Sequence, residues 1–166
     1  NFIPASRQQS VVVEVHLGLP EARRARRALL RGLPGDLVAP PVLEHEGRRL
    51  SQSGVILDYL AEALGMFGPR DADERREVLR WLLFDNHKLT SYTATLRFLR
   101  TFAPDPRPDV LAEFRKRAET AWGILDAHLA GRIYAVGDRL TIADISMCGY
   151  LYWPDEIGVD WAVYPN

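Results

Sequence analysis

The 166-residue sequence has little cysteine, little net charge and no long apolar run, and each shortage excludes a class of protein. Cys148 is its one cysteine, so an internal disulfide is excluded, and low cysteine content fits a reducing compartment. The formal net charge of -1 gives no overall attraction to nucleic acid or to an anionic membrane. No stretch of about 18 apolar residues is present, so no membrane-spanning helix is predicted. We therefore expect a cytoplasmic protein with neither a nucleic-acid nor a membrane partner.

Metal ligands and reactive thiols are scarce as well. Neither His16 nor His45 has a partner at the spacing of metal ligands, so no metal site is predicted. Cys148 lies in an apolar helical stretch, where a cysteine is usually an inert core residue. This placement disfavours a mechanism that depends on a thiol of the protein itself.

Strand patterns are confined to the first 65 residues. Hydrophobic residues make up 47% of the chain and charged residues 26%, as in globular proteins. A β-branched run at residues 11–15 and the segment at residues 40–51 predict short strands, with a tight turn at Glu46-Gly47. A helix is predicted to follow from Gln52-Ser53, with Gly65 as its C-terminal cap.

The pattern then becomes helical throughout. Residues 66–74 hold glycine and proline and are typical of a linker. Asp71 with Glu74, and Thr141 with Asp144, have the spacing of N-terminal capping boxes. Three helices are predicted, over about residues 75–102 and 109–129 and from Thr141 to a stop at Pro154, with a break near Thr90-Ser91 as the alternative to one continuous first helix.

Two separated segments carry a resemblance to a known family. The sequence resembles the glutathione transferases at Pro41-Val42-Leu43, Gly47, Leu50-Ser51-Gln52-Ser53, Ile56 and Tyr59-Leu60, and again at Gly137-Asp138-Arg139-Leu140-Thr141-Ile142-Ala143-Asp144. The final Tyr164-Pro165-Asn166 is similar to a segment that usually precedes one more helix in that family. The resemblance covers most of the chain.

The resemblance implies an α+β thioredoxin-like domain followed by an all-α helical-bundle domain. We expect the thioredoxin-like domain at residues 1–65, the linker at 66–74 and the helical domain at 75–166. It also implies glutathione as a co-substrate, no metal and a homodimer. The glutathione-binding residues implied are Pro40, Pro41, Val42, Gln52 and Ser53.

Physical reasons support such a site. A peptide-like ligand can be bound as an extra strand along exposed backbone, which suits the residues around Pro41. A ligand carboxylate can lie at a helix N-terminus, which suits Gln52 and Ser53. The alternative is a purely structural role, in which Gln52 and Ser53 only cap the helix.

Three features depart from the family pattern. Pro40 precedes the expected cis-proline and has no N–H, so one main-chain bond to the ligand would be lost. The family's first helix does not fit between Phe2 and Val15, and the chain stops where a last helix is expected. We therefore expect the sequence to be incomplete at both ends and after Ser10.

The resemblance also implies a thiol-activating residue and an apolar substrate site. Ser6, in the turn Pro4-Ala5-Ser6, is the candidate that would stabilise the glutathione thiolate; the alternative is a plain turn residue. The substrate-site candidates are Trp81, Phe84, His87 and Tyr92, with a merely solvated His87 as the alternative.

Two functions remain open from the sequence. The first is a glutathione transferase that activates the thiol for attack on an electrophilic small molecule. The second is a non-catalytic domain of the same fold that binds glutathione or a protein partner. A glutathione-dependent peroxidase or reductase would use the same thiolate.

We predict that Ser6→Ala abolishes most glutathione conjugation while leaving glutathione affinity nearly unchanged, because the lost hydroxyl acts on the thiolate. Turnover with an aromatic electrophile and calorimetric glutathione binding measure the two effects. Unchanged turnover would remove the assignment.

Overall fold

The computed structural model describes residues 12–14, 42–103 and 105–166. The chain divides into two compact units, residues 1–60 and 61–166, and each is described by itself. The finer division at residues 66–74 stays a prediction.

The first unit contains a small antiparallel sheet. Strand β1 (Val12–Glu14) pairs with β2 (Val42–His45), and β2 pairs with β3 (Arg48–Ser51), in the order β1-β2-β3. His45 pairs with Arg48, which leaves a two-residue loop of Glu46 and Gly47 at φ 49 and 73°. Positive φ at both positions gives the hairpin turn whose twist suits the flanking strands. The turn predicted from the sequence is present.

Helix α1 (Ser53–Leu64) follows the hairpin directly. The Tyr59 hydroxyl lies 2.8 Å from His45 Nδ1, which joins the helix to the end of β2. At the other end Gly65 has φ 64°, and the Met66 N–H donates to the Ala61 carbonyl. This pattern is a Schellman motif, so Gly65 ends the helix as predicted.

The second unit is helical in its described part. Its elements are α2 (Ala72–Phe84), a π-helical turn (Asp85–Leu89), α3 (Thr90–Thr101), α4 (Pro108–Leu129), α5 (Ile142–Cys148), α6 (Pro154–Ile157) and a 3₁₀ turn (Trp161–Val163). Asp71 caps α2 by accepting the N–H groups of Asp73 and Glu74. Among the described helices, none is both long and apolar enough to cross a bilayer.

The core of this unit lies between α3 and α4. Leu96, Ala118 and Ala121 have no exposed surface, and Trp122 is 2% exposed. The Trp122 indole N–H donates to Thr93 Oγ1 over 3.0 Å, so the one polar group of that ring is satisfied inside the core.

Helix α5 begins with the predicted capping box. The Thr141 side chain accepts the Ala143 N–H, while the Asp144 carboxylate accepts the Thr141 N–H at 2.8 Å. Asp144 also accepts the N–H of Ala135 at 2.7 Å, and the Ile142 N–H donates to the Phe67 carbonyl at 3.0 Å. The start of α5 is therefore bonded to two other segments of the unit.

Two local predictions are corrected. Glu74 does not complete a capping box with Asp71, because arginine donors engage both oxygens of its carboxylate: it accepts from Arg70 and pairs with the Arg139 guanidinium at 2.8 Å. Pro154 begins helix α6 instead of ending α5, since a proline at the first helical position loses no hydrogen bond.

We predict that Asp144→Ala lowers the free energy of unfolding by about 1–3 kcal/mol, because one carboxylate satisfies donors of two segments. Urea unfolding measures the loss. The control is Asp138→Ala, whose exposed carboxylate pairs with the exposed Arg70, where we expect less than about 1 kcal/mol. Equal losses in the two variants would contradict the prediction.

Candidate functional site

The junction of β3 and α1 carries a strained polar residue. Gln52 is exposed and has φ 73°, a left-handed conformation that is uncommon outside glycine. Its carbonyl accepts the Ile56 N–H at 3.0 Å, so Gln52 is the N-cap residue of α1. Strain of this kind costs about 1–3 kcal/mol and clusters at ligand sites.

The first turn of α1 is suited to an anion. The N–H groups at a helix start carry partial positive charge and have no partner within the helix. No acidic side chain occupies this turn of α1. A carboxylate of a ligand therefore meets no like charge in the turn that begins at Ser53.

The sheet register brings a third predicted residue close to this junction. Val42, the first residue of β2, pairs with Ser51, the last residue of β3. Val42 therefore lies across the sheet from the residue that precedes Gln52, and its side chain is buried. Of the predicted glutathione site, Val42, Gln52 and Ser53 lie together, whereas Ser6, Pro40 and Pro41 lie outside the described residues.

In the second unit, Trp81 and Phe84 form one aromatic cluster. Trp81 is buried and lies edge-to-face with Phe84 at 5.2 Å between ring centroids, and its ring centroid is 4.2 Å from that of His128. Its Nε1 is the one buried side-chain nitrogen or oxygen in the described part of the chain without a hydrogen-bond partner. A buried donor of this kind commonly awaits a water or a ligand.

Tyr92 belongs to a different cluster. Its ring packs against Phe114 of α4 at 6.5 Å, and the Arg117 guanidinium lies 5.8 Å from its centroid. Tyr92 is about 16 Å further along the helical axis than Trp81. The structure therefore brings Trp81 and Phe84 together but not Tyr92, and His87 is exposed on the π turn between them.

Asp85 is a polar residue that the sequence analysis missed. It is 2% exposed, and its carboxylate accepts hydrogen bonds from the Thr90 hydroxyl at 2.5 Å and from the Ser146 hydroxyl of α5. Burial raises the pKa of this carboxyl above its usual range, and the two hydroxyls offset part of the shift. Its place between Leu82 and Leu89 on an apolar stripe is the signal that would have identified it.

Side chains of the types that bind metals do not cluster in the described residues. No group of three or more histidine, cysteine or carboxylate side chains comes together there with the geometry of a metal site. Cys148 is half-buried and its thiol lies 3.2 Å from the Ile145 carbonyl.

Comparison with known proteins identifies the family. The family model "Glutathione S-transferase, C-terminal domain" matches residues 108–166. A crystal structure of a glutathione S-transferase from Pseudomonas fluorescens is 32% identical, with a TM-score of 0.75, over 84% of this chain and 69% of that one. The chain belongs to the glutathione S-transferase family. Its small sheet followed by helices fits the predicted order of a thioredoxin-like and a helical domain.

Other relatives of this transferase-family chain are named for different activities. The disulfide-bond oxidoreductase YfcG of Escherichia coli (strain K12) is 26% identical over 93% of this chain and 73% of its own length. A glutathione transferase from Burkholderia graminis is 26% identical, with a TM-score of 0.64, over 79% of this chain and 60% of that one. That structure holds two glutathione molecules per protein subunit.

We predict that Gln52→Gly leaves the free energy of unfolding unchanged or raises it by up to about 1 kcal/mol, because glycine relieves the left-handed strain. Glutathione affinity should fall, since the amide side chain is lost. The matched control is Glu46→Gly, which relieves a positive φ of 49° in the hairpin and should leave the affinity unchanged. A loss of more than about 1 kcal/mol in Gln52→Gly would show that the backbone there is not strained.

Proposed function

We propose that this family member is an enzyme that binds glutathione at the junction of β3 and α1 and uses its thiolate. The observation that carries the proposal is the left-handed backbone of Gln52 at the cap of α1. The residue before it, Ser51, pairs with Val42 across the sheet. Such strain persists where a function requires it. Gln52 and Ser53 would hold the γ-glutamyl carboxylate, and the backbone around Pro40, Pro41 and Val42 the cysteinyl part.

The reaction requires an ionised glutathione thiol. A hydroxyl donating a hydrogen bond to the sulfur lowers the thiol pKa, and Ser6 is proposed for this role. The thiol proton leaves to solvent, the sulfur forms a bond to the electrophilic carbon, and the electron pair displaced from that carbon leaves with a leaving group or is protonated. Thiolate stabilisation and positioning would supply most of the rate.

For the electrophile we propose the aromatic side chains of the second unit. Trp81 and Phe84 lie edge-to-face, and the half-buried Phe84 ring would contact the substrate. The buried, unpartnered Trp81 indole N–H would reach a polar group of the substrate through a bound water. Tyr92 and His87 would contact larger substrates, because they lie further along the same helical segment.

A second candidate reaction is glutathione-dependent disulfide reduction. The similarity to YfcG favours it, and the lone, half-buried Cys148 means that glutathione would have to supply the thiols. One glutathione thiolate would attack the disulfide to form a mixed disulfide and release a thiol. A second glutathione would then release the other thiol and form glutathione disulfide.

The remaining expectations from the family resemblance are also proposals. We infer a homodimer that acts in the cytoplasm, where reduced glutathione is maintained. Without turnover, the same site would still support the alternative of a domain that only binds glutathione or a protein partner.

The test combines binding and turnover in the same preparation. We predict that wild-type protein binds glutathione in calorimetry, and that Ser53→Ala weakens the affinity by about 10- to 150-fold by removing a hydrogen bond to a charged group. Ser91→Ala, an exposed serine of α3, is the matched control and should bind normally.

Turnover then separates the candidate functions. Conjugation of an aromatic electrophile supports the transferase, and reduction of a small disulfide supports the second reaction. Binding without either activity would support the non-catalytic domain, and normal binding by Ser53→Ala would refute the site.

A further inference from the structure

The buried residues from α2 to α3 have a spacing that would suit one uninterrupted α-helix. Buried residues recur every three or four positions, as on one face of a continuous α-helix. They are Val78, Leu82, Asp85, Leu89, Thr93 and Leu96. Yet the Thr90 N–H donates to the Asp85 carbonyl, five residues back, and a π turn divides the segment.

A π turn changes the direction in which the later residues point. It holds one more residue than an α-turn, and each residue of an α-helix advances by about 100°. The stripe of buried residues in α3 is therefore rotated by about 100° from that in α2. Residues at the same α-helical spacing therefore face different neighbouring elements in α2 and in α3.

The observed contacts agree with this rotation. Before the turn, α2 packs mainly on α5, and at the turn Asp85 bonds to Ser146 of α5. After the turn, Thr93 bonds to Trp122 in the middle of α4, and further along α3 there is an ion pair to α6.

Asp85 is placed to hold the turn in this form. Its carboxylate accepts from Thr90, the first residue after the turn, and from Ser146 on α5, so it joins both ends of the turn to a neighbouring helix. Neither partner is a cation, and an apolar side chain would avoid the several kcal/mol that a buried carboxylate costs. A carboxylate buried at that cost in free energy is expected to have a structural or functional role.

We propose that Asp85 is a positioning residue that holds the π turn and so sets the angle between the helix half bearing Trp81 and Phe84 and the half bearing Tyr92. The effect on substrate rests on the proposed function, in which these rings contact the electrophile. The effect on the direction of the helix does not depend on the proposed function.

The structural test uses the indole N–H signals of the protein labelled with ¹⁵N-tryptophan. Loss of the turn would rotate Thr93 away from Trp122 and break their hydrogen bond. We expect Asp85→Ala to shift the Trp122 signal and to speed its proton exchange by about tenfold or more. Asp85→Asn keeps the shape, accepts from one hydroxyl through its Oδ1 and donates to the other hydroxyl oxygen through its Nδ2, so it should stay within about threefold of wild type.

Two further substitutions separate this effect from general destabilisation. Asp144→Ala weakens the start of α5 without removing a bond to Asp85, so it should leave the Trp122 chemical shift near wild type and speed the exchange by no more than its measured loss of unfolding free energy accounts for. Ser146→Ala and Thr90→Val each remove one bond to Asp85 and serve if Asp85→Ala does not fold. Trp122 signals that are unchanged in the Asp85 variant, or in both single-bond variants, would overturn the proposal.

Turnover tests the positioning role. In Asp85→Ala we expect the KM for an aromatic electrophile to change by about fivefold or more, with glutathione affinity within about twofold of wild type. Rescue by Asp85→Asn supports the role, and an unchanged KM despite shifted indole signals overturns it. If wild-type protein shows no turnover, the proposed function fails, while the indole signals still decide whether Asp85 holds the turn.

Discussion

The helical unit depends on the carboxylate of Asp144. It caps α5 through the Thr141 N–H and holds the loop before that helix through the Ala135 N–H. The Ala135 carbonyl in turn lies 2.7 Å from His128 Nε2, and the His128 ring packs on Trp81. A cap that is local in sequence therefore also orients an aromatic ring on another helix.

In the first unit, backbone conformation sets the positions of the elements. In the second unit, side-chain hydrogen bonds do so. The two-residue hairpin returns β3 alongside β2, so Ser51 pairs with Val42 and the next residue, Gln52, turns left-handed to begin α1. The candidate glutathione site is thus built mainly from main-chain direction and a helix start. A site of this kind depends little on the side chains around it, and relatives that share the fold are named for different activities.

Local signals in the sequence predicted local structure well. The turn at Glu46-Gly47, the cap at Asp71 and the box at Thr141 and Asp144 each depend on residues within a few positions of one another, and all are present. The family resemblance, carried by two such segments, is confirmed. Pro154 was misinterpreted because proline suits the first turn of a helix as well as the position after one.

Longer-range arrangements could not be predicted from the same patterns. The sequence indicates a break near Thr90-Ser91 but not its form, because the buried residues on both sides keep the α-helical spacing. The bond from the Thr90 N–H to the Asp85 carbonyl shows that the interruption is a π turn. Trp81 and Tyr92 were grouped because they share a helical segment, although that segment is a rod and separates them. Ser6, Pro40 and Pro41 stay predictions, and so does the role of each substrate-site residue.

The π turn has a consequence for how this chain can change in length. If one residue were deleted between Asp85 and Leu89, the turn could close as an ordinary α-helix and every later residue would keep its direction. The same deletion in the middle of α4 would rotate half of that helix away from its partners. The π turn is therefore a place within a helical segment where the deletion of one residue is structurally silent for the residues after it, and that place lies at the buried carboxyl group of Asp85.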